Sequence, residues 1–439
     1  LEKKGLKPKI PIDMKLVLSF IVGFLGCLSI HSQRILLVNG HLHPIVGNEI
    51  SFSLIEIEDG EIIGIKNALS ENYDPTLWDT VIDASGQHIY PGLVAPNSTL
   101  GLTEIDAVRA SIDFREVGEF NPHVRSQIAF NAESKVLQTV KTNGVLLVQA
   151  TPREGIISGT SSVMKSGGWN WEDATLQKDD GIHVHWPAPL NGGGWWLDPA
   201  ERKNQDHYLA DVQKLRDFFQ LAKGYSENKK RVFDQRLEAM LDCFSGNKRV
   251  YFHANDIQQI SDVIAFSEAF GLPFPVIVGG EEAYLLGKRL ADSKIPVMLN
   301  RLHRLPEREE DPTDLPYRLP SLLKEQGVLF CLQNTGDMEA MNARNIPFLA
   351  GTAMAYGLTE LEALKSITLW PCQIMGIDHR FGSIEVGKSA TLIVSKGSIL
   401  DMKTHQITTI ILDGKVESTL NFQEENYLKY QKKYLQKNK

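Results

Sequence analysis

Between residues 145 and 356 the chain repeats one unit, a short apolar run followed by a segment of helix length. The runs are 145–148, 250–253, 275–278, 296–299 and 328–332, and helical segments occupy 256–270, 281–293 and 347–356. Parallel strands need a long crossover, usually a helix, and are buried on both faces, so they read as unbroken apolar runs. The pattern predicts an α/β fold with a parallel sheet. The length of 439 residues accommodates a closed (β/α)8 TIM-type barrel with its site in the loops after the strands.

The two ends have a different texture. Residues 34–43 and 50–65 alternate or run apolar, and Asn39-Gly40 and Asp59-Gly60 are hairpin signals. Residues 80–94 predict a further strand pair turning at Ser85-Gly86. Residues 390–395, 406–412 and 415–416 repeat the texture, with Asp413-Gly414 as a turn. Both ends are therefore expected to form one composite β-sandwich. The expected divisions are an N-terminal extension and signal peptide at 1–33 and sandwich parts at 34–94 and 379–420. The barrel takes 95–378, with a Trp/Gly-rich insertion at 158–245 that includes a polar helix from about Ala200 to Lys230. A basic helical tail fills 421–439.

Net charge of −8 offers no basic surface for nucleic acid, and 42% hydrophobic residues exclude a disordered chain. Met14-Lys15 precedes the apolar run 16–28, too short to span a bilayer and suited to a secretory signal. The expectation is export to the periplasm or exterior after cleavage near Ser32-Gln33, with lipidation at Cys27 as the alternative. Leu1 to Asp13 would then lie upstream of a start at Met14. Cys243, Cys331 and Cys372 read as buried free thiols.

Several motifs in order resemble the amidohydrolase superfamily, in particular its imidazolonepropionase-like branch. They are Ile57-Glu58-Asp59-Gly60-Glu61-Ile62-Ile63-Gly64, Tyr90-Pro91-Gly92-Leu93-Val94 and Gly101-Leu102-Thr103-Glu104. Ile367-Thr368-Leu369-Trp370-Pro371 and Gly382-Ser383-Ile384-Glu385-Val386-Gly387-Lys388 follow near the other end. The resemblance implies a hydrolase of non-peptide C–N bonds in small cyclic amides or related compounds. It also implies one or two divalent metals in the barrel mouth that generate hydroxide.

At the metal positions the chain departs from the family. The expected His-x-His pair falls on Asn97 and Thr99, the later histidine on Gly279, and the aspartate on Thr335, with Asp337 two residues late. None of the four replacements is a preferred ligand for zinc or iron. Register predicts His253 on the wrong face of its strand. No metal is expected at the usual site. A relocated single divalent ion, zinc or iron, would draw on His183, His185, His253 and Asp337, with Asp337 the catalytic candidate. His41-Leu42-His43 has the same His-x-His spacing in the β-domain, away from the mouth.

Glu104, Arg109, Ser161 and His253 are substrate-binding candidates, and Trp169, Trp171, Trp195 and Trp196 offer stacking faces. Two readings stand. One is a divergent hydrolase; the other is a catalytically inactive relative binding a small ligand or partner through the mouth. A second copy or an intact paralogue is the protein partner considered, with no stable membrane span after signal cleavage.

Overall fold

The computed structural model describes residues 33–189, 207–228, 230–308 and 310–437. The apolar run at 16–28, Cys27, Trp195 and Trp196 lie outside the described residues. Five strands come first: β1 (Arg34–Leu42), β2 (Ile50–Glu58), β3 (Glu61–Asn67), β4 (Thr80–Asp83) and β5 (His88–Pro91). Next come β6 (Leu93–Ser98), β7 (Val145–Ala150), β8 (Ile157–Lys165), β9 (Thr175–His185) and β10 (Arg249–Ala254). The series ends with β11 (Pro275–Gly279), β12 (Val297–Leu299), β13 (Phe330–Leu332), β14 (Leu392–Ser395), β15 (Ile407–Leu412) and β16 (Lys415–Glu417).

Strands from both ends share one eight-stranded sheet in the order β16-β15-β14-β5-β1-β2-β3, with β4 also on β1. The strands expected to pair with each other, β4 and β5, instead lie one after the other along β1, both parallel to it. Asp59-Gly60 makes the expected turn between β2 and β3. Asn39-Gly40 does not. It sits inside β1 at a register shift, where Asn39 takes a φ of 65° that asparagine tolerates. Ile35, Leu37, Ile55, Ile57, Ile89, Leu392 and Ile411 share this sheet's core.

β6 to β13 form the second sheet in chain order. Neighbours are parallel except at β8, which runs antiparallel to both β7 and β9. The regular (β/α)8 expectation is corrected at this strand. Only residues 151–156 separate β7 from β8, too few for a crossover helix, so the chain must reverse. The segment read as an insertion thus carries two strands of the sheet. Its polar helix is described over Tyr208–Glu227 and buries Val212, Leu215, Phe219 and Ala222 at helical spacing. The ring is nearly closed. The Val94 N–H donates to the Ile367 carbonyl (3.0 Å) and the Leu332 N–H to the Ser366 carbonyl (3.1 Å), so both edge strands bond one segment.

Side chains alternate between the two faces of these strands. Val94, Leu147, Val163, Tyr251, Val278, Met298 and Cys331 fill the barrel interior. Leu146, Val148, Val250, Phe252, Ile277 and Phe330 pack in the outer core with the helices. Cys243, Cys331 and Cys372 are buried free thiols, and burial pushes the Cys243 thiol up to about 12. The tail forms an exposed helix, Phe422–Lys437. Among the described residues, no helix is long and apolar enough to cross a membrane.

Candidate functional site at the barrel mouth

Polar side chains replace apolar ones toward the C-terminal ends of the barrel strands. Asn97, near the end of β6, is buried with a φ of 46°. Its N–H donates to Gln149 Oε1 (2.8 Å) and its Nδ2 to Gln333 Oε1 (2.5 Å). Arg153, in the loop after β7, donates from Nη1 to Asn97 Oδ1 (2.7 Å) and from Nη2 to the Asn97 carbonyl (2.8 Å). The same Nη2 reaches Glu339 Oε1 at 3.0 Å. A largely buried guanidinium is thereby held against the first of the replaced ligand positions. Gln333 also donates to the Met298 carbonyl and Asn300 Oδ1, and Thr335 Oγ1 donates to the same Asn300 oxygen.

A second polar layer lies beside this one. Asp180 is fully buried and accepts from Ser161 Oγ (2.7 Å), Tyr251 OH (2.7 Å) and Gln149 Nε2 (2.8 Å). Burial pushes its carboxyl up, opposed by those hydrogen bonds. His183 contacts His253 Nε2 through Nδ1 (3.0 Å) and Ser161 Oγ through Nε2 (2.9 Å), and its ring stacks on Tyr251. His185 stacks on His253 with centroids 4.1 Å apart. His253 therefore faces inward, against the register expectation, because β10 sends Tyr251 to the interior and His253 shares that parity. Burial, with the Arg153 charge also acting, holds all three imidazoles down, His185 to about 4.

These residues do not fit the divalent metal the resemblance implies. Both nitrogens of His183 are engaged within the protein, as is Nε2 of His253. His185 Nε2 is buried without a partner among the described residues, but it stands alone. Asp337 is exposed, so the four residues named for a relocated metal do not converge. Gly279 has a φ of 106°, and a Cβ there would stand 2.2 Å from Asn255 Oδ1. The fold thus excludes a histidine at that position without rearrangement. The fixed charge of Arg153 repels a cation in the same space.

The mouth opens into a cavity of about 260 Å³ lined by Thr99, Asp106, Ile112, Phe114, Arg153 and Glu339, among others. Thr99 and Ser161 are buried. Glu104 accepts from Asn131 Nδ2 (3.0 Å), outside the cavity wall, and Arg109 is exposed. Trp169 is exposed, whereas Trp171 packs on the core. Burial pushes the Asp106 carboxyl up, and the Glu339 charge adds to this. Arg153, Gln149, Gln333, Asp180, Tyr251 and Glu339 were not anticipated from the sequence. Gln149 and Gln333 carried a signal, since each places an amide at or just past the end of an apolar strand.

The sequence profile of the amidohydrolase family matches residues 254–420. Imidazolonepropionase of Brevibacillus brevis is 22% identical over 88% of this chain and 96% of that protein. A solved amidohydrolase from Thermotoga maritima superposes with a TM-score of 0.74 at 25% identity, over 88% of this chain and 99% of that one. Together these matches support membership of the amidohydrolase superfamily. Amidohydrolase tasK of Hapsidospora irregularis is 20% identical over 77% of this chain and 37% of that protein. Molinate hydrolase shares the fold, with a TM-score of 0.54 at 13% identity. Within this superfamily frame, amides, hydroxyls and a guanidinium stand where the resemblance places metal ligands.

Proposed function

We propose that the barrel mouth binds a small polar compound bearing an amide or lactam group, without the metal-activated water used in the superfamily. The observation that carries this reading is the Arg153 guanidinium, bonded to Asn97 and Glu339 beside a small cavity. A cyclic amide offers a carbonyl acceptor and an N–H donor. The cavity answers with the Thr99 hydroxyl, the Arg153 N–H groups and the carboxyls of Glu339 and Asp106. Charge supplied by the largely buried Arg153 and Glu339 side chains can orient such a group.

The second reading is a hydrolase of non-peptide C–N bonds. It is favoured by alignment over nearly the whole length with proteins named imidazolonepropionase and amidohydrolase. In that case Asp106 is the candidate for proton transfer, since it is the carboxyl on the cavity wall whose proton affinity burial raises. Export, drawn from Lys15 followed by the apolar run 16–28, is part of either proposal. The N-terminal sequence of protein recovered outside the cytoplasm tests it.

One experiment separates the two readings. Purified protein, treated with chelator or with zinc, is offered a panel of lactams, cyclic imides and N-acyl amino acids. Binding is followed by calorimetry and hydrolysis by product release. Binding without turnover, abolished in Arg153→Met, is the expected result. Turnover that survives chelation and is lost in Asp106→Asn supports the hydrolase instead. Turnover that requires added zinc at the mouth overturns the metal-free reading.

A further inference from the structure

We propose that His41, His43 and Glu49, outside the barrel, form a binding site for a divalent first-row transition cation, with zinc the best fit. His41 and His43 are two residues apart across the end of β1, so both imidazoles leave the strand on one side while Leu42 between them is buried on the other. The chain then loops through residues 44–49 and returns Glu49 over the pair. One carboxylate oxygen lies 2.8 Å from His43 Nδ1 and the other 3.1 Å from His41 Nε2. One ligand atom from each of the three residues falls within 4.8 Å of the others. Ligands about 2.0–2.2 Å from a tetrahedral zinc stand roughly 3.3 Å apart, so small adjustments suffice to admit the ion.

The surroundings hold the ligand atoms in place. His43 Nε2 pairs with His88 Nδ1 at 2.9 Å. With His43 donating from Nε2, its Nδ1 lone pair is directed toward Glu49, and an outer partner of this kind orients a metal-bound imidazole. The His43 ring lies on buried Tyr90 with centroids 4.4 Å apart and planes 5° apart, which fixes its tilt. His88 is the register partner of His41 across the parallel β1–β5 pair, so the sheet itself positions the cluster. Two neutral imidazoles and one carboxylate match the ligand preferences of zinc and leave a fourth position open. Glu49 is 57% exposed, which leaves that position to water or an exogenous ligand. The barrel-mouth histidines lack this arrangement and face a guanidinium; this cluster has a carboxylate bonded to two of its three rings.

The test is metal uptake by the whole protein after chelator treatment, measured by elemental analysis and by visible absorption after cobalt substitution. The expected result is about one equivalent of zinc or cobalt, with the intense visible bands of four-coordinate cobalt. Uptake should fall at least tenfold in Glu49→Gln and in His41→Ala, and stay unchanged in His183→Gln/His253→Gln. Glu49→Gln alters little more than charge at an exposed side chain, so unchanged thermal unfolding of the stripped variant verifies its fold. No uptake by the stripped protein overturns the proposal. So does uptake that persists in both Glu49→Gln and His41→Ala, or that is lost only in the barrel variant.

Discussion

Arg153 decides the chemistry of the mouth. Its guanidinium satisfies the Asn97 side chain and carbonyl and neutralises Glu339, and both charged side chains are only 15% exposed. Removing one partner of such a pair strands the other charge, so Arg153→Met is expected to destabilise by about 3 kcal/mol in urea unfolding. Arg153→Met combined with Glu339→Gln should recover part of that loss, because no carboxylate is then left alone. Strictly additive losses in the double-mutant cycle would show that the two groups do not act as a pair. Gly279 makes a different statement about the same site. A Cβ at this position meets the Asn255 side chain on a backbone of positive φ, so Gly279→Ala is expected to cost about 2 kcal/mol or more. Gly279→His should lower the melting temperature and gain no zinc at the mouth. A stable, zinc-loaded Gly279→His protein would mean that the ligand site is merely unfilled rather than rebuilt.

Elements were legible where their pattern was long or carried by local chemistry. The helix Ile257–Phe270 is an example. Asp256 caps it by accepting from the Gln259 N–H (2.9 Å), Gln259 Oε1 accepts in return from the Asp256 N–H, and Gly271 ends it at a φ of 65°. Asp256→Ala should therefore cost about 1 kcal/mol. Gln259→Ala should cost more, since Gln259 Nε2 also bonds the Trp186 and Pro187 carbonyls and so ties the chain after β9 to this helix. Equal losses in the two variants, read from denaturant midpoints, would remove that tether from the account. Elements were illegible where partnership depended on distant chain. β4 and β5 read as a hairpin because a turn stands between them, yet β1 offered a longer template and took both. β8 and the start of β9 were hidden in a Gly/Trp-rich stretch, and the reversal of β8 follows from a connection length whose meaning depends on knowing that β7 comes before it.

At the scale of the whole molecule, the frame could be read from motif order, which also led to the expectation that Asn97, Thr99, Gly279 and Thr335 stand at the family's ligand positions. The contacts made around those residues could not. Arg153 reaches Glu339 across 186 residues and Asn97 pairs with Gln333 across 236, separations at which no local spacing carries information. The same convergence gathers buried His183 and half-buried His185 and His253, and their protonation ties stability to pH. An unfolded chain titrates its histidines near 6.5, whereas in the fold burial and then the Arg153 charge hold His185 to about 4, and His183 and His253 are also held down. Between those two values the unfolded chain carries more protons than the folded one, so stability rises with pH there and is lost on acidification. Asp180 acts in the opposite sense, because burial raises its carboxyl and lets the fold take up that proton sooner. Glu281, which burial pushes up to about 7, acts with it, but burial also holds His303 and His405 down, so the lowered imidazoles outnumber these two carboxyls. His185 alone accounts for a loss on the order of 3 kcal/mol once pH has fallen through both values. Urea midpoints measured from pH 7.5 down to pH 5 should fall steadily, and His185→Asn should flatten the slope. A midpoint that holds or rises over that interval would show that the three imidazoles are protonated as readily in the fold as outside it.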